Sequence, residues 1–261
     1  MDNSTLTFLG TGTSRGVPQL GCRCPVCRST DPRDKRLRSA VLLRSGGRLI
    51  MIDVGPDFRQ QGLREDLDHL DAIFITHEHY DHIGGMDDVR AFSNHHHTFP
   101  IFALPRVIEA LHRVMPYSFG PKKYPGSPTL ELHPLTPGEP VADDRYADVL
   151  PFTVLHGQLP ILGYRMGDLA YITDCKTLPE ESYEILRGVR TLVINALRIR
   201  EHPSHLSFDE ALQVIRRIGP EQTYLTHIDH DFGTHEQICA LCRQRAQICS
   251  WVPKSWSMWV R

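Results

Sequence analysis

The sequence predicts an α/β fold in which two β-sheets lie between outer layers of helices, an αββα sandwich. Three observations predict it. Apolar runs rich in β-branched residues end in Gly, Asp or His, as strands do. Strands come first, whereas strands and helices alternate later, which favours two sheets over one doubly wound sheet. A length of 261 residues suits one sizeable domain, residues 1–261, and 41% hydrophobic with 23% charged residues is typical of a soluble globular chain.

The predicted strands share a short apolar core that stops at a turn or polar residue. They are residues 6–9, 41–43, 49–52, 72–76, 152–155, 169–173, 192–194 and 223–226. Between the second and third of these, Gly46 and Gly47 supply the positive φ angles of a hairpin turn. The first strands are therefore expected to be antiparallel.

Four segments show the spacing of amphipathic helices. They are residues 106–114, 180–186, 208–218 and 236–246. Before the third, Ser207 is a natural N-cap and Glu210 completes a capping box. Residues 117–145 are rich in Pro and Gly with little periodicity, which predicts a long irregular insertion within the single domain.

Charge and cysteine usage narrow the class of protein. A net charge of −2 and a pI near 6.7 provide no global positive field, so nucleic acid is not expected as a partner. The absence of a basic leader or an apolar stretch of membrane-spanning length favours a cytoplasmic location and no membrane contact. Three of the seven cysteines crowd into residues 22–27, a spacing that suits a metal better than disulfides.

The strongest signal is the run THEHYDH at residues 76–82, which follows a predicted strand. His77 and His79, two apart in extended chain, point the same way, while Asp81 and His82 lie on the next turn and can face a second ion. For a single His-x-His pair, the alternative is that the histidines are solvent-exposed residues of a surface loop. Four potential ligands within six residues favour a metal site.

Three further ligands each follow a predicted strand, namely His156, Asp174 and His227. Ligands at strand ends are expected to converge at one sheet edge. Two ions about 3.5–4 Å apart can share a hydroxide that attacks the substrate, hold its oxygens and neutralise the transition state. The pattern therefore predicts a hydrolase with two divalent ions, and His and carboxylate ligands accept zinc or manganese.

A second metal site is predicted at Cys22, Cys24 and Cys27. Three thiolates in this short loop lack only one ligand for tetrahedral zinc. His230, three residues beyond His227, is the predicted fourth ligand of a structural zinc. Competing ligands are Cys239 and Cys242, which lie in an apolar helical pattern. Reduced buried thiols without a metal are the other alternative.

The ligand order resembles the metallo-β-lactamase superfamily, whose motif is His-x-His-x-Asp-His followed by a His, an Asp and a final His. The resemblance runs from about residue 5 to residue 235 and implies the metallo-β-lactamase fold. It also implies which residues hold which ion. His77, His79 and His156 would hold the first, Asp81, His82 and His227 the second, and Asp174 would bridge them.

Asp53 stands where the family carries an acidic residue beneath the metals, which implies that it orients a ligand His, although a turn hydrogen bond is an alternative.

A narrower resemblance is to the cyclic phosphodiesterases of the carbon–phosphorus lyase pathway of phosphonate catabolism. The shared pattern comprises Gly-Thr-Gly-Thr at residues 10–13, Gly-Val-Pro at 16–18, the cysteine loop at 21–27, the His-rich motif at 77–82 and Thr-His-Ile-x-His at 226–230. Residues 117–145 have no counterpart in it. Asp rather than Cys at position 174 also departs from the zinc β-lactamases. The resemblance implies a phosphodiesterase acting on small cyclic phosphate esters.

Cleavage of a phosphodiester needs a proton for the leaving alkoxide, and His is the usual donor near neutral pH. His205, in the loop between a strand and the capped helix, is the predicted acid, matching the relatives' catalytic His, and His202 is the second choice. Asp81 is the other predicted catalytic residue. Arg198 is a candidate phosphate contact, with a solvated surface Arg as the alternative.

Two alternatives remain at this point. One is an endoribonuclease of the type that processes tRNA 3′ ends, which shares the seven ligands. The other is a non-hydrolytic binding protein like the B protein of pyrroloquinoline quinone biosynthesis, which has the same cysteine loop but departs from the full His-rich motif. The exact substrate, the catalytic metals and the oligomeric state, with a homodimer as one option, are left open by the sequence.

Overall fold

The structure is a computed structural model that describes residues 4–93, 98–119 and 123–245, together with the backbone of residues 257–260. The strands in these ranges are β1 (Ser4–Gly10), β2 (Ala40–Ser45), β3 (Arg48–Ile52), β4 (Ala72–Phe74), β5 (Phe99–Ala103), β6 (Leu130–Pro134), β7 (Val149–His156), β8 (Leu159–Met166), β9 (Leu169–Ile172), β10 (Thr191–Asn195), β11 (Gln222–Thr226) and β12 (Ser257–Val260).

The described strands form two sheets. The first has the order β12-β1-β2-β3-β4-β5-β6, antiparallel from β12 to β3 and parallel from β3 to β6. The second has the order β11-β10-β9-β8-β7, antiparallel from β7 to β9 and parallel from β9 to β11. Since parallel strands end at the same edge, each sheet gathers several carboxyl ends there.

The α-helices of the described chain are α1 (Pro25–Arg28), α2 (Phe58–Arg64), α3 (Tyr80–Ile83), α4 (Pro105–Val114), α5 (Glu180–Ile185), α6 (Phe208–Ile218) and α7 (His235–Arg245). Short 3-10 helices occur at Pro32–Asp34, Met86–Phe92, Pro116–Ser118, Asp144–Tyr146 and His230–Phe232.

Three apolar layers show how these elements pack. Aromatic residues of both sheets, such as Phe74, Tyr164 and Tyr171, fill the space between the sheets. The outer face of the first sheet is covered by α2, α4 and the 3-10 helix Met86–Phe92. The outer face of the second is covered by α5, α6 and α7. The predicted αββα sandwich is therefore confirmed.

Local signals explain where several elements begin and end. The Ser207 hydroxyl accepts from the Glu210 amide, and the Glu210 carboxylate accepts from the Ser207 amide, so α6 begins with the predicted capping box. It ends at Ile218, and the Gly219 that follows has a φ of 69°, which suits a glycine. Between β2 and β3, Gly46 and Gly47 have φ of 57° and 75°, as the predicted hairpin requires.

Four of the described strands, β5, β6, β8 and β12, lie outside the predicted runs. β6 falls within residues 117–145, so the prediction of a wholly irregular insertion is wrong there; β6 pairs in parallel with β5 and forms a sheet edge. β5 contains Pro100, which weakens a strand pattern. β8 contains Gly163, and a Cβ there would lie 2.5 Å from the Phe152 ring, so an aromatic side chain of β7 covers the glycine.

Within the described ranges, none of the helices combines the length and the apolar character needed to cross a membrane. The cytoplasmic location and the homodimer stay predictions.

Candidate metal centre

The predicted ligands lie at one end of the space between the two sheets. His77 to His82 follow β4 of the first sheet, and α3 carries Asp81 and His82. The other three ligands follow strands of the second sheet: His156 is the last residue of β7, Asp174 comes two residues after β9, and His227 directly follows β11. These three therefore lie at one edge of the second sheet, as expected, and the His-rich motif that follows β4 of the first sheet meets them there.

His77, His79 and His156 form the first group. The Nε2 of His77 lies 2.9 Å from the Nδ1 of His79, and the ring centroids of His79 and His156 are 5.2 Å apart. One donor atom from each of the three lies within 4.8 Å of the others. His156 Nδ1 donates to the carbonyl oxygen of Ser204 at 2.8 Å, which leaves Nε2 as its donor atom toward the group.

Asp81, His82, Asp174 and His227 form the second group, again within 4.8 Å. His82 Nε2 lies 3.1 Å from Asp81 Oδ2 and 3.3 Å from Asp174 Oδ1. His227 Nδ1 lies 3.2 Å from the same Asp174 oxygen. The other oxygen of Asp174 is 4.0 Å from His77 Nε2, so Asp174 lies between the two groups.

Asp53 lies beneath the second group, fully buried. One of its oxygens accepts from His82 Nδ1 at 2.7 Å, and the other accepts from the Thr76 amide at 2.8 Å. The contact holds the His82 ring with Nε2 toward Asp174. That Asp53 orients a metal ligand stays a prediction.

The backbone of the site is held in uncommon conformations. Among the described non-glycine residues, four have a positive φ, and three of them are Asp53 (64°), Asp174 (54°) and His227 (53°). Such strain is concentrated at functional sites. Gly55 lets the loop after β3 approach the ligand turn, because a Cβ there would lie 2.1 Å from the Asp81 carbonyl oxygen.

The buried carboxylates in and beneath the second group stabilise positive charge. Burial alone would lower the pKa of His82, but the carboxylates of Asp174, Asp53 and Asp81 outweigh it and hold that pKa well above its usual range. Burial would raise the pKa of Asp174, yet His227 and His82 hold it well below the usual range. A proton on His82 balances the negative charge of these carboxylates, and a bound cation would balance it in the same way.

The buried nitrogen atoms of the second group are compatible with binding one shared metal ion. His82 Nε2 and His227 Nδ1 are buried, lie close to carboxylate oxygens and yet make no well-aligned hydrogen bond. Nitrogen and oxygen atoms that face a common centre rather than one another are what a metal-binding group requires. The imidazole and carboxylate donors suit zinc or manganese.

His205 lies beside both groups, with Nδ1 3.9 Å from Asp174 Oδ2 and its ring 4.6 Å from that of His156. Burial, and then the nearby His227, lowers the pKa of His205 to about 2, so the imidazole of the protein alone is neutral at pH 7.

Arg198 faces Asp231, with a guanidinium nitrogen 3.7 Å from the carboxylate, so its contact with phosphate stays a prediction.

The cysteine loop and His230 also meet. His230 Nδ1 lies 3.4 Å from Cys24 Sγ and 3.8 Å from Cys22 Sγ, and with Cys27 they form a group within 4.8 Å. Burial raises the pKa of the Cys24 thiol, but hydrogen bonds from the Cys27 amide and His230 bring it to about 7, which favours a thiolate.

The competing ligands lie elsewhere. Cys239 Sγ is 3.5 Å from His235 Nε2 on α7, and Cys242 is buried in the core against the second sheet.

Two contacts at the centre escaped the sequence predictions. The Ser204 carbonyl sets the His156 ring, and the Thr76 hydroxyl lies 2.9 Å from Asp53. A main-chain carbonyl leaves no signature in sequence. Thr76 stands next to the His-rich motif, and this position was the one available signal.

Comparisons with known proteins agree with this geometry. The family described as Beta-lactamase superfamily domain matches residues 48–228. An octanoyltransferase of Porphyromonas gingivalis is 43% identical over 234 residues, which are 88% of this chain and 47% of that protein. This chain spans about half the length, or less, of the curated relatives that head the comparison.

Solved structures show the same fold. A diphosphatase from the PhnP family has a TM-score of 0.88 and 37% identity, with 99% of this chain and 97% of that chain covered. Zinc-bound PqqB from Methylobacterium extorquens has a TM-score of 0.78 at 16% identity, covering 97% of this chain and 99% of that one. The short form of human tRNase Z has a TM-score of 0.65 at 19% identity, covering 97% and 98%.

None of these comparisons supports the expectation that nucleic acid is not a partner. The likeness to the PhnP-family diphosphatase covers nearly all of both chains, and the family match extends over most of the sandwich, from Arg48 at the start of β3 to Ile228 after β11. The chain therefore belongs to the beta-lactamase superfamily.

Proposed function

We propose that this chain is a metal-dependent phosphodiesterase acting on a small, cyclic or linear phosphate ester. One observation carries the proposal. Two groups of imidazole and carboxylate donors adjoin each other, with Asp174 between them and a further imidazole, His205, at their side. A phosphodiester needs charge stabilisation on its phosphoryl oxygens and a proton for its leaving oxygen, and this arrangement offers groups for both.

In this proposal His77, His79 and His156 hold one divalent ion, and Asp81, His82 and His227 hold the other, with Asp174 reaching both. Bound there, the ions supply Lewis acidity toward the phosphoryl group and an activated water. The chain sets the direction of its ligands: the Ser204 carbonyl fixes the tautomer of His156, and Asp53 fixes that of His82.

Asp81 is the proposed second catalytic residue. Its side chain is 11% exposed, whereas those of His82, Asp174 and His227 are exposed by 3% or less. The nearby His82 keeps its pKa below the usual range despite burial, so the carboxylate is ionised. Asp81 is thus the member of its group that can accept a hydrogen bond from water in the site.

His205 is proposed to protonate the leaving oxygen. Its lowered pKa means that it needs help to carry a proton at neutral pH. An anionic phosphodiester bound beside it supplies that help, because a nearby negative charge favours the protonated imidazole. The acid would then form in the complex with substrate, where it is needed.

The cysteine loop is proposed to hold a structural zinc through Cys22, Cys24, Cys27 and His230. Such a site has four protein ligands and no position for a substrate. His230 lies three residues beyond His227, so the loop after β11 would contribute to both centres.

Two alternative functions are tested in the same experiment as the proposed one. The endoribonuclease alternative draws on the shared fold of tRNase Z, and the non-hydrolytic alternative draws on that of PqqB. Because one relative is an octanoyltransferase, an octanoyl substrate is also worth testing, although the match covers only 47% of that protein.

A substrate panel decides among these functions. Purified protein with zinc or manganese is assayed on cyclic and linear diesters, a diphosphate, phosphomonoesters, a β-lactam, an octanoyl thioester and precursor tRNA at low salt. We expect turnover of diesters above every other class. Preferred cleavage of the thioester, the lactam or tRNA would contradict the proposal, and turnover of none would favour a binding protein.

A further inference from the structure

Asn195, the last residue of β10, has a fully buried side chain that bonds to the segment after β9. β9 and β10 pair in parallel up to Ile172 and Ile194, and this pairing ends there. Beyond that point the Asn195 amide continues the pairing. Its Oδ1 accepts from the Cys175 amide at 2.7 Å, and its Nδ2 donates to the Cys175 carbonyl at 3.0 Å.

The first bond acts on Asp174. The Cys175 N–H belongs to the peptide bond that joins Asp174 to Cys175, so the contact fixes the rotation of the backbone directly after Asp174. Asp174 has a φ of 54°, a region that residues with a Cβ adopt rarely and that needs support from surrounding structure. Its carboxylate must keep this direction to lie near both His82 and His227.

The second bond acts on the loop of His205. The Cys175 carbonyl that accepts from Asn195 also accepts from the Leu206 amide at 2.7 Å. Leu206 directly follows His205, whose Nδ1 is 3.9 Å from Asp174 Oδ2. Cys175, whose N–H and carbonyl are both held by Asn195, is therefore tied to the two residues that must face the same substrate.

We propose that Asn195 is a positioning residue that sets Asp174 and His205 relative to each other through the backbone of Cys175. The expected effect on turnover rests on the proposed function. Asn195 touches neither group directly, so its role is to hold the geometry. A residue that supports a ligand in this way commonly changes metal affinity or activity by about 10–100-fold when replaced.

The chemistry of the amide explains why other side chains would not serve. Asn195→Ala removes both bonds and leaves the buried Cys175 N–H without its acceptor. Asn195→Asp keeps an acceptor for that N–H, but it loses the donor and places a carboxylate oxygen against the Cys175 carbonyl. The second variant has nearly the wild-type shape, so it remains informative if the alanine variant folds poorly.

The test compares Asn195→Ala and Asn195→Asp with Ser182→Ala, a matched loss of a buried polar contact. Ser182 is fully buried and donates to the Thr153 carbonyl at 2.6 Å, away from the metal centre. Metal retained per chain is measured against a competing chelator, and kcat and KM are measured for a diester with an alkyl leaving group and for its nitrophenyl analogue. The Asn195 variants are also combined with His205→Ala.

We expect about 10–100-fold weaker metal retention in Asn195→Ala but not in Ser182→Ala. We expect a lower kcat at similar KM in both Asn195 variants, with the larger loss on the alkyl ester. That extra loss should vanish in the His205→Ala background, because residues acting through one another are not additive.

The outcomes separate the inference from the proposed function. If both Asn195 variants match Ser182→Ala in metal retention and leaving-group profile, the inference is overturned. If wild type turns over no diester while Asn195→Ala alone loses metal, Asn195 positions Asp174 and the phosphodiesterase proposal fails. A wild-type protein that retains no metal overturns both.

Discussion

At the scale of single residues, the centre depends on rings whose two nitrogens have different partners. His82 donates from Nδ1 to Asp53 and turns Nε2 toward Asp81 and Asp174. His156 likewise donates from Nδ1 to the Ser204 carbonyl. Each partner fixes the orientation of its ring before any ligand binds, which lowers the entropic cost of assembling the site.

The role of His205 gives the first prediction. His205→Ala should keep the metals of the centre and lose on the order of 10²–10⁴ in rate on a diester with an alkyl leaving group. The loss should be small on a nitrophenyl ester, since nitrophenolate hardly needs a proton. Steady-state kinetics on the two esters measure the ratio.

His202 provides the control, because its ring centroid lies 5.1 Å from that of His205 and it is the other candidate acid. His202→Ala should change both rates little. An equal loss on both esters in His205→Ala would mean that His205 binds substrate, and a leaving-group effect confined to His202→Ala would transfer the acid role to His202.

The residues of the centre differ in how well sequence could foretell them. The spacing of His77, His79, Asp81 and His82 is local, so a strand and one turn bring them together. Asn195 offers no such pattern. It reads as a polar residue at a strand end, and its contacts with Cys175 arise only from the pairing of β9 with β10.

At the scale of elements, the loop after β11 joins the two candidate metal sites. His227 belongs to the centre between the sheets and His230 to the cysteine loop, within the span that leads into the 3-10 helix His230–Phe232. The Asp229 amide also donates to the Leu197 carbonyl, near the loop of His205. Zinc at the cysteine loop would therefore support one wall of the active site.

Cys24→Ser should release about one zinc per chain and lower the thermal midpoint, since structural zinc contributes directly to folding free energy. Metal analysis and thermal unfolding measure the two effects. Cys239→Ser is the matched control and should leave zinc unchanged, because Cys239 lies beside His235 instead. Unchanged zinc in pure Cys24→Ser would remove this site from the account.

The first residue of α7 gives a prediction on acid stability. Burial, and then the charges of Arg33 and Arg36, lowers the pKa of His235 to about 4, against the opposing effect of Asp31 and Asp34. Between pH 6.5 and 4 the unfolded chain takes up a proton that the folded chain does not. The free energy of unfolding should therefore fall as pH falls through this window.

His235→Gln removes this titration, so the slope of unfolding free energy against pH should decrease by at most about 1.4 kcal/mol per pH unit. Urea unfolding of both proteins at saturating metal measures it, and the other histidines contribute equally to each. Identical slopes would show that His235 takes up its proton in the folded state as readily as in the unfolded chain.

Elements whose start and end signals lie within one stretch of sequence were predictable. Elements whose formation depends on pairing with other strands were not. The bounds of α6 follow from its capping box and from Gly219, all within one stretch of chain. β8 was missed because it contains Gly163, which accommodates the ring of Phe152 on the paired strand β7. β6 was missed because its place at the sheet edge comes from pairing with β5.

At the scale of the whole molecule, the centre is an interface between two sheets. The His-rich motif comes from the first sheet, while His156, Asp174 and His227 come from the second. The aromatic layer between the sheets, which includes Phe74 and Tyr171, sets their separation. The order of strands and helices in the sequence predicted the αββα sandwich, and the ligand order predicted a two-ion centre. Only the packing of both sheets shows that the proposed ions would lie between them.

The most direct test of the account is metal content measured together with turnover of a cyclic phosphodiester, in wild type, Asp174→Ala and the half-buried control Asp168→Ala. We expect about three metal ions per chain in wild type and in the control, two at the centre and one at the cysteine loop. Asp174→Ala should stay folded, keep the zinc of the cysteine loop, lose metal from the centre and lose turnover by about 10² or more, because both donor groups share this carboxylate. Wild-type metal content and wild-type turnover in folded Asp174→Ala would contradict the two-metal phosphodiesterase.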